Sequence, residues 1–519
     1  MTDPADARPG IRLWPLYIIA GLAFVALLWI WIPESHHHQG QTQGTLATFI
    51  LIVFFGLLWL LFLSRLAWDR RLRYFGGAIF IIALLVGSFR IKGFSGDFMP
   101  ILVWRFSGEA VATGVEGGGV TPIAARDWPQ FLGPGRDNQL RGVRLARDWQ
   151  AQPPREVWRR PVGSAWSSFA IVGGRAVTQE QHGPEELVVC YDLASGRKLW
   201  SHADTTRYES GMGGIGPRAT PTIVGGRVYA VGATGRLNVL DLKNGAVIWS
   251  RDIVADNAAE VPMFGISGSP LVLADKVVVS PGGPDGRSLV AYARDDGAFI
   301  WGGGDDKAGY SSPQLVSLAG REQILIFNEQ AYHITAHHPQ TGAVLWRRVW
   351  DHGYVQAVAN PLVLPGDRVL ASTGYGAGAE LYQIAAADDG SLASEMLWQN
   401  KKLKAKFANM AYRDGFVYGL DDGILVCLDP ETGKRRWKRG RYGHGQLILV
   451  DDLLLITSEK GAVVLVEATP EKHNELARIE VFDHKTWNPP ALAAPYLLVR
   501  TDSEAVCLEI PLQEGLAQR

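Results

Sequence analysis

Residues 237–249 read LNVLDLKNGAVIW, and variants of this stretch recur along the chain. Each variant has an alternating apolar run, polar residues, a Gly and then a Trp, usually four residues after the Gly. The alternation predicts a half-buried strand, and the Gly supplies the positive φ that a hairpin turn needs. The recurring segments end at Trp200, Trp249, Trp301, Trp346, Trp398 and Trp437.

The spacing of these Trp residues identifies the repeat. Successive positions are 49, 52, 45, 52 and 39 residues apart, which is about the length of a four-stranded propeller blade. The stretches that begin at Pro221 and Pro270 each read as strand, turn, strand, so every repeat supplies four strands. We predict that the Trp residues bury their indoles between neighbouring sheets. The predicted docking residues are Trp158, Trp200, Trp249, Trp301, Trp346, Trp398 and Trp437.

The two ends of the array decide the number of blades. Leu453–Glu467 forms a seventh unit with its outer strand at 477–482, and Pro495–Ile510 forms an eighth unit that lacks a last strand. Glu156–Pro161 (EVWRRP) has a Trp and no preceding strands of its own. We expect it to complete the eighth blade and close the ring, because closure removes exposed edges. The predicted fold class is an all-β eight-bladed propeller, with seven blades as the alternative.

The first 106 residues are apolar and predict a transmembrane anchor. Helices are expected at about 13–32, 45–64 and 74–90, each of which can span a bilayer. A cleavable signal peptide is disfavoured, since the first apolar stretch is too long and no small-residue cleavage site follows. Residues 107–126 are predicted to form a flexible linker, and residues 127–519 the propeller. Met99–Phe106 is short and apolar and is expected to lie along the membrane surface.

The distribution of Arg residues predicts the orientation of this anchor. Arg65, Arg70, Arg71 and Arg73 cluster between the second and third predicted spans, whereas the loop at 33–44 has no Lys or Arg. The positive-inside rule then places the Arg cluster in the cytoplasm and the propeller on the periplasmic or extracellular side of the inner membrane. Two spans instead of three would reverse this orientation. The triplet at 36–38 (HHH) is interpreted as solvated loop histidines, with a metal site as the alternative.

Overall charge and cysteine content exclude some functions. The formal net charge is -1, so we expect no nucleic-acid partner. Cys190, Cys427 and Cys507 occupy similar strand contexts and are predicted to be small buried hydrophobic residues. No pair of them has the spacing of metal ligands, and an odd number argues against a disulfide framework.

The repeat resembles the tryptophan-docking repeat of the pyrroloquinoline-quinone (PQQ) propeller family. DWPQFLGPGRDN at 127–138 also resembles the segment that opens many bacterial propellers of this kind. Together these matches cover about residues 127–510. They imply the fold but no single function, because the family contains enzymes and non-enzymes. The layout of anchor and propeller is similar to that of membrane-bound quinoprotein glucose dehydrogenase, which has more spans.

Polar side chains concentrate in the loop after each Trp, which is expected to lead to an innermost strand and to line one mouth of the channel. The candidate cofactor-binding residues in these loops are Glu209, Arg218, Lys406, Asn409, Arg441 and Trp487. Other polar residues of the same loops are Tyr208, Asp305, Asp306, Lys307, Asp351, His352, Lys404, His444, Asp483 and His484.

The resemblance implies, as one function, a PQQ-dependent oxidoreductase that oxidises an alcohol or a sugar. Such an enzyme would hold PQQ and Ca²⁺ in the channel, with Glu209 and Asn409 as calcium ligands and Asp351 as the catalytic base. Three features weigh against it. The chain has no adjacent cysteine pair, its propeller of about 385 residues is little more than eight bare blades, and it has no motif-matched set of Ca²⁺ ligands. It has no CxxCH haem motif either.

The favoured function is a binding or scaffold module without a bound metal or cofactor. This interpretation rests on similarity to the eight-bladed propeller lipoprotein of the outer-membrane β-barrel assembly machinery. A helical anchor would replace the lipidated cysteine of that protein. The expected partners are the membrane and a protein or small molecule at the channel mouth.

Overall fold

A computed structural model describes residues 11–32, 38–106, 119–329, 333–350 and 356–513. The chain divides into two compact units, Met1–Glu109 and Ala110–Arg519. The predictions for Asp351, His352 and the histidines at 36 and 37 lie outside the described residues.

Within the described part of the first unit, three helices are long and apolar enough to cross a membrane. They are α1 (Trp14–Trp31), α2 (His38–Leu58, continued by one π-helical turn over Trp59–Leu63) and α3 (Trp68–Ser88). The three predicted helices are therefore present, but two of them begin earlier than predicted. Helix α3 begins at Trp68 instead of 74, so it includes Arg70, Arg71 and Arg73.

A β-hairpin follows α3 where the sequence indicated a surface-lying apolar segment. Phe89–Phe94 pairs antiparallel with Pro100–Trp104, and the rings of Phe89 and Trp104 lie 5.5 Å apart. The Ser95 backbone N–H donates to the Met99 carbonyl at 2.8 Å and closes the turn. The strand Pro100–Trp104 thus belongs to a hairpin, and the location of Met99–Phe106 along the membrane surface stays a prediction.

The described residues of the second unit form eight blades of four antiparallel strands each, and Gln139–Leu140 adds a short parallel strand beside Gln446–Val450 of the seventh blade. We name the strands A to D from the inside outward, because the first strands of neighbouring blades contact each other. The strands of blades 1 to 4 are Ala170–Val172, Arg175–His182, Glu185–Asp192, Lys198–Asp204; Thr222–Val224, Arg227–Val231, Arg236–Asp241, Val247–Asp252; Leu271–Val272, Lys276–Val279, Leu289–Ala293, Phe299–Gly303; and Gln314–Leu318, Arg321–Phe327, His333–His337, Val344–Val349.

The remaining blades include the predicted ring closure. The strands of blades 5 to 8 are Leu362–Leu364, Arg368–Thr373, Gly378–Ala386, Leu392–Asn400; Ala411–Arg413, Phe416–Asp421, Ile424–Asp429, Lys434–Arg441; Gln446–Val450, Leu453–Thr457, Ala462–Glu467, Glu475–Glu480; and Ala491–Ala493, Tyr496–Arg500, Glu504–Glu509, Arg155–Pro161. Arg155–Pro161 pairs antiparallel with Glu504–Glu509, so the strand that contains EVWRRP completes blade 8. Eight blades are confirmed, and seven are excluded. Two short strands, Glu209–Ser210 and Gly214–Ile215, form a separate pair.

The Trp residues of the repeat lie at the junctions between blades. Trp158, Trp200, Trp249, Trp301 and Trp346 are buried, and Trp398 and Trp437 are half-buried. A methyl group at Gly245 or Gly297 would overlap the indole of the Trp of the preceding blade. Several indole N–H groups also donate to a backbone carbonyl of the next blade. These bonds run from Trp158 to Leu193, Trp200 to Leu242, Trp249 to Arg294, Trp398 to Pro430 and Trp437 to Thr469, at 2.7–3.0 Å.

Trp346 differs from the other Trp residues of the repeat. Its indole N–H donates to the Gln323 side chain of its own blade at 2.7 Å. The C and D strands of blade 5 are nine residues long, and the nearest side chain to a methyl group at Gly390 would be Arg321. The C–D turn of blade 5 therefore lies beyond the Trp346 indole. The shorter C–D turns of other blades contact the indole of the preceding blade.

Candidate functional site

The alternation of antiparallel strands divides the channel into two mouths. The A–B and C–D turns lie at one end of the blades, and the B–C turns and D–A connections lie at the other. The predicted polar loops are the D–A connections. We call the two ends the A–B mouth and the D–A mouth.

The segment 126–140 lies across the A–B mouth. Trp128 exchanges two backbone hydrogen bonds with Ile171 of blade 1, at 2.7 and 2.8 Å, and the Pro129 carbonyl accepts one from Ile223 of blade 2. The Arg126 backbone N–H donates to the Ala494 carbonyl of blade 8 at 3.0 Å. The chain itself therefore occupies this end of the channel.

Arg136 anchors the same segment in the channel wall. Its guanidinium donates to the carbonyls of Ser269 at 2.6 Å, Pro270 at 3.2 Å and Pro313 at 2.9 Å, which belong to blades 3 and 4. The side chain is buried, and burial lowers its pKa to about 9. The three carbonyl oxygens accept hydrogen bonds from the buried Arg136 guanidinium and so satisfy its N–H donors. The sequence stretch 127–138 was interpreted only as an opening motif, so this contact was not predicted.

The remainder of the predicted linker also contacts the propeller where it is described. The Thr121 backbone N–H donates to the Asp192 carboxylate at 2.6 Å, and Ile123 and Ala125 pack against the core between blades 7, 8 and 1. Residues 107–118 of the predicted linker lie outside the described residues. The part from 119 to 126 is thus fixed to blade 1 by specific contacts.

A partial ring of buried polar side chains joins blades 1 to 6 just inside the D–A mouth. Each member lies two residues before an A strand, and from Thr220 onward its side-chain oxygen accepts the backbone N–H of the equivalent residue in the preceding blade. The bonds run from Ser168 to Thr220, Thr220 to Ser269, Ser269 to Ser312, Ser312 to Asn360 and Asn360 to Asn409, at 2.8–3.2 Å.

The ring explains Asn409 and was not predicted. The Asn409 Oδ1 atom accepts the bond from Asn360, and the side chain is buried among backbone groups. The sequence did contain a signal for the ring. A polar residue precedes a proline at Thr220-Pro221, Ser269-Pro270, Ser312-Pro313 and Asn360-Pro361. A proline has no N–H to satisfy where the next strand begins.

Aromatic side chains from four D–A connections meet at the mouth. The Trp487 ring lies 5.1 Å from the ring of Trp166 and 5.1 Å from the ring of Phe407, measured between centroids. Phe407 in turn lies 5.6 Å from His444. The Trp487 indole N–H donates to the Glu459 carboxylate at 3.0 Å. We call Trp166, Phe407, His444 and Trp487 the aromatic cluster.

Two lysines lie over these rings. Lys485 Nζ is 3.9 Å from the Trp487 centroid and 4.6 Å from the Trp166 centroid. Lys406 Nζ is 5.4 Å from the Phe407 centroid and 4.5 Å from the Tyr375 centroid. Both are cation–π distances, so the mouth combines flat aromatic surface with positive charge.

Of the other candidates, Arg218 borders this cluster, because its guanidinium and the Trp166 indole N–H both donate to the Gly213 carbonyl. Glu209 is exposed and pairs with Arg207 at 3.0 Å. Arg218 donates to the Gly213 carbonyl at 3.1 Å and lies 4.7 Å from the Tyr208 ring. Burial lowers its pKa to about 10, so it stays charged at neutral pH. Arg441 is exposed at the end of its D strand.

A cavity of about 420 Å³ opens at the same mouth beside blades 3 and 4. Its wall includes Val261, Met263, Lys307, Tyr310 and Glu329. Burial raises the pKa of the Glu329 carboxyl to about 7. The ring of Phe264 lies 5.6 Å from the ring of Tyr310, which lines the cavity. The cavity thus extends the mouth on the side away from Trp487.

The described residues do not fit PQQ with calcium. The proposed ligands Glu209 and Asn409 are committed elsewhere, to Arg207 and to the polar ring. No group of three His, Cys, Asp or Glu side chains in the described ranges could hold a metal ion. The rings of Trp166 and Trp487 already contact each other, which leaves no slot for a planar quinone between them.

Fold and repeat together define a PQQ-like eight-bladed β-propeller protein. The model of the family described as outer membrane protein assembly factor BamB matches residues 141–263 and 185–439, more than half of the chain. The chain therefore belongs to this family.

Individual relatives fall into two groups. BamB of Moranella endobia is 22% identical over 340 residues, which cover 59% of this chain and 78% of the relative. The quinohemoprotein alcohol dehydrogenase ADH IIB of Pseudomonas putida is 32% identical over 143 residues, 25% of this chain. The chain spans only 19% of that dehydrogenase.

A solved structure supports the fold. The crystal structure of BamB from Moraxella catarrhalis matches with a TM-score of 0.51 at 15% identity and covers 70% of this chain and 99% of that one. At this identity the likeness shows the architecture alone.

Proposed function

We propose that this protein is a membrane-anchored, extracytoplasmic propeller that binds a protein partner through its D–A mouth and serves as a scaffold. The observation that carries the proposal is the aromatic cluster with Lys485 and Lys406 above it. Trp and other large aromatic side chains contribute much of the energy of protein–protein binding, and the two lysines add positive charge above the aromatic surface. The placement of the propeller outside the cytoplasm rests on the three apolar helices and the distribution of Arg residues.

The rim of this mouth supports a protein partner over a small ligand alone. Met212, Val261 and Met263 are exposed large apolar side chains in the D–A connections that enter blades 2 and 3. Unbranched methionines adapt to partner surfaces, and contiguous apolar exposure marks interaction sites. With segment 126–140 across the A–B mouth, a partner in the channel would approach from the D–A side.

A PQQ-dependent oxidoreductase that oxidises an alcohol or sugar is the second candidate. The observation in its favour is the local likeness of one quarter of the chain to a quinohemoprotein alcohol dehydrogenase. Against it stand the committed oxygens of Glu209 and Asn409. The binding role is therefore preferred.

Photocrosslinking in cells tests the binding mouth. A photoreactive amino acid at Met263 or Asp483, both exposed in D–A connections, is expected to give a discrete protein adduct. Lys243, exposed in a C–D turn at the opposite end, is the matched control position and is expected to give none. Adducts are separated on denaturing gels and identified by mass spectrometry.

A charge change at the mouth makes this experiment decisive. Lys485→Glu should reduce the adducts at Met263 and Asp483 at least several-fold, because it removes the cation above both Trp rings. Lys243→Glu should leave them unchanged. Equal adducts at both ends of the propeller, or adducts indifferent to Lys485→Glu, would contradict the proposal.

A further inference from the structure

Blade 6 differs from its neighbours in the charge of its outer strand. Its D strand Lys434–Arg441 reads KRRWKRGR, in which six of eight residues are Lys or Arg. The D strand of blade 5, Leu392–Asn400, has no Lys or Arg. That of blade 7, Glu475–Glu480, has one Arg and two Glu. The basic charge is thus not a general property of the repeat.

A buried carboxylate forms ion pairs with the innermost cations of the blade. Asp421 is completely buried, and Lys404, Arg435 and Lys438 each approach one of its oxygens at 2.5 Å. Lys404 also lies 3.2 Å from Asp422. This network fixes the D strand and the preceding D–A connection to the body of the blade, and it accounts for three of the cations.

The outer cations have no such partner. Lys434, Arg436, Arg439 and Arg441 are exposed, and none forms an ion pair with a carboxylate of the described residues. Their side chains therefore remain available to a ligand outside the propeller.

The preceding connection adds to the same surface. The Arg435 side chain donates to the carbonyls of Lys402 at 2.6 Å and Lys401 at 3.4 Å, which holds these lysines alongside the strand. Residues 401–441 contain eleven Lys or Arg and five Asp or Glu, a net charge of +6 in a chain of net charge -1. We call Lys401, Lys402, Lys434, Arg436, Arg439 and Arg441 the basic edge.

Protection of an edge strand against aggregation does not explain this surface. The D strand of blade 8 is also rich in Arg, but Arg155 pairs with Glu509 at 2.5 Å and Arg159 pairs with Glu156 at 2.8 Å. Paired charges protect an edge as well as unpaired ones. The unpaired cations of blade 6 repel one another, so their accumulation calls for an external anionic partner.

We propose that the basic edge binds the anionic headgroup surface of a lipid bilayer. A row of exposed cations on one rim suits a wide, flat array of phosphates better than a single small anion. The same chain carries three helices long and apolar enough to cross a membrane, so a bilayer surface is always present at high local concentration. Each Lys or Arg near an anionic bilayer strengthens binding about fivefold, which corresponds to roughly 1 kcal/mol.

Vesicle binding tests this proposal on the full chain. The protein is reconstituted in phosphatidylcholine nanodiscs, immobilised, and exposed to vesicles of phosphatidylcholine with or without phosphatidylglycerol. Binding is expected only to the vesicles that contain phosphatidylglycerol, and it should weaken steeply with added salt. Arg436→Glu/Arg439→Glu should lower the affinity at least about 25-fold, about fivefold for each cation lost.

A variant of equal charge change serves as the control. Lys243→Glu/Arg321→Glu replaces two exposed cations of blades 2 and 4 and should leave vesicle binding unchanged. Melting curves of both variants verify that they are folded. Equal binding to neutral and anionic vesicles, or equal losses in the two double variants, would overturn the proposal. Binding of polyaspartate without binding of anionic vesicles would assign the edge to an acidic protein instead and would also overturn it.

Discussion

Trp249→Ala is expected to lower the free energy of unfolding by about 3–5 kcal/mol, the usual cost of emptying a large buried aromatic site. The indole is buried between blades 2 and 3, and its N–H donates to the Arg294 carbonyl of blade 3 at 2.9 Å. The turn glycine Gly297 lies so close to the ring that a methyl group there would overlap it. The loss can be measured by denaturant or thermal unfolding of the full chain in detergent.

Val247→Ala is the matched control, because Val247 lies on the same D strand and is half exposed. This variant should change stability by less than about 1 kcal/mol, as expected for a surface site. If Trp249→Ala and Val247→Ala gave the same small effect, the docking role of the Trp residues would be wrong.

Arg500→Met is expected to cost about 3–5 kcal/mol, because it leaves a buried carboxylate without its compensating charge. Arg500 is buried in the B strand of blade 8 and donates to the Gly163 carbonyl at 2.8 Å and to the Thr178 hydroxyl of blade 1 at 2.9 Å. Its charge also acts on Glu180, which is buried in blade 1 and lies 2.8 Å from His182. The substitution therefore affects the junction at which the ring closes.

The Glu180 carboxyl gives this prediction a pH signature. Burial would raise its pKa, but hydrogen bonds from His182 and Tyr191 and the charge of Arg500 together lower it below the ordinary value. A lowered pKa adds stability above the unfolded pKa of about 4.3, and this contribution is lost as the pH falls through the folded pKa. The penalty for Arg500→Met should thus shrink as the pH falls through the folded pKa of Glu180, which lies below the ordinary value for a Glu carboxyl.

Arg155→Met is the matched control on the same blade. Arg155 forms an exposed ion pair with Glu509, which should contribute less than about 1 kcal/mol. Arg500→Met/Glu180→Gln should recover part of the lost stability, since it removes the uncompensated charge. A loss for Arg500→Met no larger than that for Arg155→Met would argue against a buried charge network at the closing junction.

The blade count was predictable because the evidence for it is local and repeated. Strand alternation, a turn glycine and usually a Trp mark each blade in the sequence. The segment EVWRRP at 156–161 has no preceding strands of its own, which indicates that it completes another blade. Helix α3 was less predictable, because hydropathy marks the part of a helix that can lie in lipid. The helical backbone extends beyond that part and includes Arg70, Arg71 and Arg73.

The site was predictable only as a set of loops. The sequence predicted that Trp487 and Lys406 lie at one mouth, but it did not reveal that Trp487 contacts Trp166 and Phe407. Trp166 lies 321 positions and Phe407 lies 80 positions before Trp487 in the chain. For Asn409, the sequence suggested a binding role where the structure shows a structural one. Its polar side chain suggested a ligand, yet the structure uses its oxygen for a backbone N–H of the neighbouring blade. Such contacts depend on how the blades pack around the ring and leave little trace in one sequence.

We propose that the D–A mouth binds a partner and does not hold a redox quinone. Titration of the full chain in nanodiscs with PQQ and Ca²⁺, followed by absorbance and by dye-linked oxidation of alcohols and sugars, tests it most directly. The predicted result is no saturable spectral change and no turnover. Stoichiometric, calcium-dependent PQQ binding with turnover that is lost in Glu209→Gln or Asp351→Asn would contradict the account.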